Sequence, residues 1–411
     1  MSKINQDVNT RVNAIMAEQN DLIKERAEVI HGAWVGRVAQ EHLLMLGPGG
    51  TAKSFLARSI SDHISGSRHF ECAFDETTDP SQVFGPPDIK AMVEDGKTRR
   101  VVTNMLPEAT DAFLDEFFNG NGPLLHSIMP ILNERVFHNN GMPSDVPLRQ
   151  VIAGTNKLNA DADQAALWDR VHLRYVVHYV QSRENMASMV GDAIARMSVV
   201  GRGVTTSISN SKTMVTIEEL DEAHKEALGL DVPDPVIEMF FDIRDELQNG
   251  KAAIQISDRR MVEGMAAVLA NSWVRNHEEV KIADLDILAN MWWTVQDQAA
   301  AARGVILGAT NPGEKAALDL LDDLDKLKTE IKQANDSGMD ESRKKRVGVE
   351  AVKNTDKLLR EAQGHLAKAK ASGASTTRIQ ETIEKADAFK IEVGKSIFGI
   401  DPAQMSAMTN A

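Results

Sequence analysis

The segment Gly47-Pro48-Gly49-Gly50-Thr51-Ala52-Lys53-Ser54 constrains this chain more than any other, because it follows the apolar run His42–Leu46 and opens a helix-forming stretch. Strand, glycine-rich turn and helix in that order build a phosphate-binding loop. Backbone N–H groups of such a loop converge on β- and γ-phosphates and the helix N-terminus adds partial positive charge. Lys53 supplies a point charge and Ser54 a hydroxyl ligand for Mg²⁺. Ala52 is a departure, since glycine usually precedes the lysine. A Cβ there is accommodated only at negative φ and where no phosphate oxygen claims the space. Taken alone, the segment also fits an ordinary glycine-rich strand-to-helix turn.

A second element narrows the choice. Ala112-Phe113-Leu114 reads as a buried strand ending in Asp115-Glu116, and open α/β sheets place their ligands at the carboxyl ends of strands. Two acids at a strand end are, in isolation, as well explained by a solvated loop start. With the phosphate loop upstream, Asp115 is expected to hold the Mg²⁺ shell and Glu116 to act as general base or water-orienting group for γ-phosphate hydrolysis. Further on, Val151–Thr155 reads as a strand leading to Asn156, whose amide is placed to position the attacking water; a plain turn asparagine is the competing reading.

Around these elements short apolar runs alternate with helical segments up to about residue 185, which predicts a mainly parallel sheet in an α/β sandwich. Residues 4–30 read as one helix, and Tyr175–Val180 as a further strand. Asn140-Gly141 between Arg135–Asn139 and Met142–Leu148 signals a hairpin with a type I′ turn. Residues 186–300 become a series of helices, one opening at the capping box Thr216-x-x-Glu219 and another after Ser257. Beyond a break at Gly304, Gly308 and Asn311-Pro312-Gly313, apolar residues at 3/4 spacing (Ala317, Leu320, Leu324, Leu327, Ile331, then Ile379, Ile383, Ala386, Val393, Ile397) predict two or three long helices packed as a coiled-coil-like hairpin or bundle. They join near Ser337-Gly338 and Ser372-Gly373. The expected divisions are 1–185, a core with an N-terminal helix; 186–303, a helical lid; and 304–411, a helical appendage.

Composition excludes several classes. The chain has 411 residues, 42% apolar and 26% charged, enough for two or three domains with real cores. Its single cysteine, Cys72, cannot form an intramolecular disulfide, the first thirty or so residues carry no apolar leader, and no apolar run spans a membrane. A cytoplasmic protein with no membrane partner is expected. The net charge of −14 repels phosphate backbones and argues against nucleic acid as partner. The histidines show no ligand spacing for zinc, and the tryptophans read as packing residues.

Phosphate loop, acid pair and asparagine in this order resemble an AAA+ ATPase, and further stretches resemble its MoxR branch, especially RavA-type members. The matching residues are Val83–Pro86, Leu106–Ala109, Phe113–Glu116, Ile131–Arg135, Ala153–Asn156, Trp168-Asp169-Arg170 and Ser257–Arg260. The resemblance covers roughly residues 10 to 300, and in that branch alanine often replaces the glycine before the lysine. It implies an αβα nucleotide-binding sandwich, an all-α lid, ATP and Mg²⁺ as ligands, and a ring, hexameric in type, that hydrolyses ATP between subunits. It also implies insertions at about 85–106 and 135–148 and a protein partner of the von Willebrand factor A class.

An arginine often meets the developing charge on the γ-phosphate from a neighbouring subunit. By the resemblance Arg170 fills that role in trans, with Arg135 and Arg174 as secondary candidates. Arg259 resembles the second-sensor arginine, reaching the phosphates from the lid of its own subunit, and Arg260 is the alternative because both lie in the first turn after Ser257. Two other functions compete with remodelling of a protein partner: a nucleic-acid motor, and a scaffold whose assembly is switched by nucleotide.

Overall fold

The computed structural model describes residues 4–156, 168–200, 213–336, 341–372 and 376–398. The chain divides into two compact units, Met1–Ala302 and Arg303–Ala411.

The N-terminal stretch is two helices, not one. Asn5 caps α1 (Gln6–Leu22) through its side chain, and α2 spans Ala27–Ala39. Between them Glu25 takes φ 58, a left-handed conformation that ends a helix of L-residues however apolar the flanking pattern. The apolar points Val8, Val12, Ile15 and Ile30 are all buried.

From there the strands are β1 (Leu43–Leu46), β2 (Ile64–Ser65), β3 (His69–Ala73), β4 (Asp111–Asp115), β5 (Val136–Asn139), β6 (Met142–Asp145), β7 (Gln150–Thr155), β8 (Leu173–Val176) and β9 (Val215–Thr216). Five of them form one all-parallel sheet in the order β3-β4-β7-β1-β8. Central strands β1 and β7 are buried along their whole length, as expected where helices cover both faces of a parallel sheet. Register places Met45 beside Gly154 and Leu114 beside Ala153, so the ends of β1, β4 and β7 lie at one level. Strand β8 begins at Leu173, two residues before the apolar run Tyr175–Val180, and its register with β1 ends at Val176, opposite the last residue of β1, Leu46.

Helices α3 (Lys53–Asp62) and α6 (Gly122–Glu134) lie in the connections from β1 and β4. Leu44, Leu114, Phe117, Leu124, Ile128, Val151 and Trp168 belong to one buried cluster. Each fully buried side chain of this kind contributes about 1.5–3 kcal/mol.

Two insertions leave this frame. One carries the short helices α4 (Pro80–Phe84) and α5 (Ile89–Asp95); the other is the antiparallel β5–β6 pair. At its turn Asn140 and Gly141 have φ 56 and 74, the double positive φ of a type I′ turn. The insertions touch: Arg100 N donates to Asn139 Oδ1 at 2.8 Å, and Asn139 Nδ2 donates back to the Arg100 carbonyl at 3.1 Å.

After helix Arg183–Val200 the described residues up to Ala302 are mainly helical. Helix Ile217–Leu228 opens on Thr216, whose hydroxyl accepts from Glu219 N at 3.1 Å while Glu219 accepts from Thr216 N at 2.8 Å, the full capping box. Ser257 caps Asp258–Val274. Gly304 and Gly308 do not break the chain; both lie inside helix Gln296–Thr310, since an isolated glycine costs a helix only about 1 kcal/mol. The interruption falls at Asn311, whose side chain accepts from Glu314 N at 3.2 Å as Pro312 opens the next helix.

In the second unit the helices Pro312–Asp336, Glu341–Ser372 and Thr377–Val393 pack as a three-helix appendage. Leu324, Leu327, Ile331, Ala386 and Val393 form its buried seam with Ala351, Leu359 and Phe389. The junctions at Ser337-Gly338 and Gly373 lie outside the described residues.

Candidate functional site

The loop Gly47–Ala52 sits at the carboxyl end of β1. Gly47 N donates to the Thr155 carbonyl at 2.9 Å, so the loop starts level with the end of β7. Thr51 Oγ1 closes it by donating to the Pro48 carbonyl at 2.9 Å. Lys53 is buried, and its Nζ donates to the carbonyls of Gly47 at 2.8 Å and Pro48 at 3.1 Å. Gly50 (φ 78) and Ala52 (φ 67) both take left-handed conformations. The requirement of negative φ at Ala52 is therefore not met. The turn into α3 demands the left-handed form there, at a cost to an L-residue of roughly 1–2 kcal/mol.

Asp115 closes β4 on the same side. A Cβ on Gly154 would stand 2.5 Å from Asp115 Oδ1 and 3.2 Å from Lys53 Cε. The lysine stem and the carboxylate therefore flank a single point in β7, and only a residue without a side chain leaves that point open. Asp115 Oδ1 also accepts from Glu116 N at 3.1 Å. Glu116 has φ 49, an unusual conformation for a non-glycine residue of the kind found at functional sites, and its Oε2 accepts from Asn119 Nδ2 at 3.3 Å. Asn156 is exposed just past β7. Phosphate loop, Asp115, Glu116 and Asn156 thus come from three adjacent strands and share one edge of the sheet. Ser54 opens the second position of α3, half-buried.

The arginines lie elsewhere. Glu41 and His172 mark the amino ends of β1 and β8, and Arg259 exerts its charge on Glu41, Glu263 and Arg170. At about 3.3 Å per residue, the six steps from Glu41 to Gly47 span roughly 20 Å. The first turn of helix Asp258–Val274 is tied to the segment before β8, where Arg260 pairs with Asp169 at 3.0 Å and Ser257 Oγ donates to Asp169 at 3.2 Å, whereas Lys53 follows the carboxyl end of β1. The two neighbouring arginines differ in environment. Arg260 is buried, pairing with Asp169 at 3.0 Å and donating to Thr294 Oγ1 at 2.9 Å, whereas Arg259 is exposed. Arg170 is half-buried; burial and then the nearby Arg259 charge lower its guanidinium pKa.

Arg135 and Arg174 are structural. Arg135 Nη2 donates to the Gln40 carbonyl at 2.8 Å and Nη1 to that of Leu132, binding the end of α6 to the start of β1. Arg174 is wholly buried between the rings of Trp168 (5.2 Å) and Trp293 (5.8 Å). It donates to the carbonyls of Val171 at 3.0 Å and of Trp168 and Trp293. Neither guanidinium is free to reach another subunit.

A titratable cluster at the joint of core and lid had no sequence signal, because its members come from distant segments. His172 Nδ1 lies 2.5 Å from Glu41 Oε2, and Nε2 donates to the Asp169 carbonyl at 3.0 Å. Burial pushes the carboxyls of Glu41 and of Glu263 up to about 7, and lowers His172 to about 4. Tyr179 and Arg26, which contact the phosphate loop, were equally invisible in the sequence.

Sheet order, phosphate loop and acid-tipped neighbouring strand, followed by a helical lid, define an AAA+ nucleotide-binding module. Residues 10–220 match the family model described as the MoxR domain in MoxR–vWA–beta-propeller ternary systems, and residues 235–306 match an AAA lid domain. The chain belongs to the MoxR family of AAA+ ATPases. It is 30% identical over 322 residues to MJ0079 and 31% over 324 residues to MJ0812, two uncharacterised proteins of Methanocaldococcus jannaschii. The alignments cover 78% of this chain in both cases, with 80% and 82% of those proteins. A structural protein of Acidianus two-tailed virus is 22% identical over 254 residues, 59% of this chain and 39% of that one. Among solved structures, a candidate ATPase from Cytophaga hutchinsonii shares the fold with a TM-score of 0.54 at 14% identity, over 73% of this chain and 93% of that one.

Proposed function

We propose that the chain binds ATP with Mg²⁺ at Gly47–Ser54, hydrolyses it at the interfaces of a ring, hexameric in type, and uses the energy to remodel a protein partner. The observation that carries this reading is that Lys53 and Asp115 both close on Gly154, so the lysine and the carboxylate lie side by side at the end of β7. A Cβ added at Gly49 or Gly50 would meet no atom within 4 Å, so the loop backbone beside that pair is open to a ligand such as a phosphate chain. The residues also fit the ion: Ser54 and Asp115 offer hard oxygen donors. A Mg²⁺ ion held there would take its remaining ligands from phosphate and water, as such ions commonly do.

In this reading Lys53 binds the terminal phosphates and the ion, when bound, neutralises charge developing on them. Glu116 takes the proton of the attacking water, which Asn156 orients. Arg170, joined by Arg259, completes the site of the adjacent subunit rather than its own. The working divisions are a core of residues 1–185, a lid of 186–303 and an appendage of 304–411 that recruits or adapts to the partner. The matched family's description supports a partner of the von Willebrand factor A class. The RavA type is the subtype we favour on the motif residues. No described helix is long and apolar enough to cross a membrane, and the cytoplasm, where ATP is plentiful, is the proposed compartment.

Glu116→Gln tests the reading. It keeps the size of the side chain and removes the base, so the variant should bind ATP and assemble while turnover falls by at least about 100-fold. Undiminished turnover removes Glu116 from the chemistry, and a wild-type protein that retains no adenine nucleotide overturns the function.

A further inference from the structure

We propose that Arg26 and Tyr179 are positioning residues that shape the phosphate loop from outside and allow an alanine to stand at position 52. The proposal rests on the nucleotide-site reading above and concerns residues that reading does not use.

Tyr179 is half-exposed, and its hydroxyl donates to the Gly49 carbonyl at 3.1 Å. Arg26 is buried; its Nη2 donates to the His178 carbonyl and lies 3.5 Å from that of Thr51. These carbonyls begin two alternate peptide planes of the loop, Gly49–Gly50 and Thr51–Ala52. In a trans peptide the C=O and the following N–H point in opposite directions. Holding the carbonyls of Gly49 and Thr51 outward therefore turns the N–H groups of Gly50 and Ala52 inward. The residue that follows each held carbonyl has positive φ, 78 at Gly50 and 67 at Ala52. Backbone with residues in the left-handed region gathers N–H groups into an anion-binding concavity.

Glycine takes that conformation without cost. Alanine does not, and something must hold the Thr51–Ala52 plane against it. Arg26 is suited to the task because it is itself fixed. Nη1 donates to the Glu25 carbonyl at 2.8 Å. The Glu25 carboxylate in turn accepts from Gln181 N and Ser182 N, both at 2.8 Å, and from Asn185 Nδ2 at 3.0 Å. Tyr179 lies in the segment so tethered, and both anchors act from one brace that also holds the start of helix Arg183–Val200.

The test is a double-mutant cycle on the full-length protein, read as the dissociation constant of a non-hydrolysable ATP analogue with Mg²⁺, at a temperature where thermal melts show every variant folded. Arg26→Lys, too short to span both carbonyls, should weaken analogue binding by roughly tenfold, the range of one charge-assisted hydrogen bond. Ala52→Gly should restore most of that affinity in the Arg26→Lys background, because glycine needs no external support, and the coupling is read as the difference between the effect of Arg26→Lys with alanine and with glycine at position 52. Tyr179→Phe, which removes one exposed hydroxyl and leaves the ring, should weaken binding in the same direction, and Ala52→Gly should not rescue it. Wild-type affinity in Arg26→Lys, or a loss that Ala52→Gly fails to recover, overturns the proposal; a merely structural arginine would lower the melting temperature without coupling to position 52. Failure of the wild-type protein to bind the analogue would sink the nucleotide reading itself, an outcome distinct from loss confined to the variants.

Discussion

Asp169 of the core pairs with Arg260 of the lid at 3.0 Å, while Arg259, the preceding residue, is exposed. Successive residues on a helix diverge by about 100°, so an inward Arg260 leaves Arg259 facing out. Arg259 then stands near Arg170, close enough for its charge to lower the Arg170 pKa. Two cations near each other at the amino end of the sheet are what the proposed site between subunits requires.

Mixing subunits checks this. Wild-type protein titrated with Arg170→Ala or Arg259→Ala chains should lose turnover faster than by dilution, since each variant disables its neighbour while its own phosphate loop still binds nucleotide. Turnover per wild-type subunit that stays constant across the titration would confine both arginines to their own chain.

The joint beside them should respond to pH. In the folded chain Glu41 and Glu263 stand at about 7 against an ordinary 4.5, with burial as the leading cause. A carboxyl raised in this way favours the fold while protonated. Its contribution is complete below about pH 4.5 and is lost as pH rises towards 7. His172, lowered by burial to about 4 from 6.5, acts in the opposite sense: its contribution is complete above 6.5 and lost as pH falls towards 4. Glu41→Gln retains a neutral partner at every pH, so its melting temperature relative to wild type should rise between pH 5 and pH 8. A difference that is flat across that interval would show that Glu41 ionises without cost.

Gly154 supplies a steric check on the phosphate site. A Cβ there meets Asp115 Oδ1 at 2.5 Å and Lys53 Cε at 3.2 Å. Gly154→Ala should displace both groups and reduce ATP affinity by about tenfold or more, with a stability cost of roughly 1–3 kcal/mol from overpacking. Equilibrium nucleotide binding and chemical denaturation separate the two effects, and a variant that binds ATP like wild type would place the phosphates elsewhere.

Local chemistry made part of this protein legible in one dimension. The loop at Gly47–Ser54, the acid-tipped strand, the Asn140-Gly141 turn and the Thr216 cap each lie within a few consecutive residues, where backbone sterics and short-range hydrogen bonds decide the outcome. Spacing of apolar residues likewise marked the seam of the C-terminal helices. Edge strand β3 carries little signal in its sequence because it buries only Phe70, between His69 and Glu71. The helix break at Glu25 is silent in the sequence because one left-handed residue does not disturb an apolar pattern.

Tertiary structure alone decided which ionic groups face what. Arg135, Arg174, Arg259 and Arg260 are equivalent as letters, yet two are sealed against carbonyls, one is paired inside the joint and one is exposed. The same holds for Glu41, His172 and Glu263, whose proton affinities depend on burial beside residues far away in sequence. A phosphate loop is specified by its own backbone. An arginine's role depends on the dielectric and the partners at the end of a long side chain, which exist only once distant segments have packed.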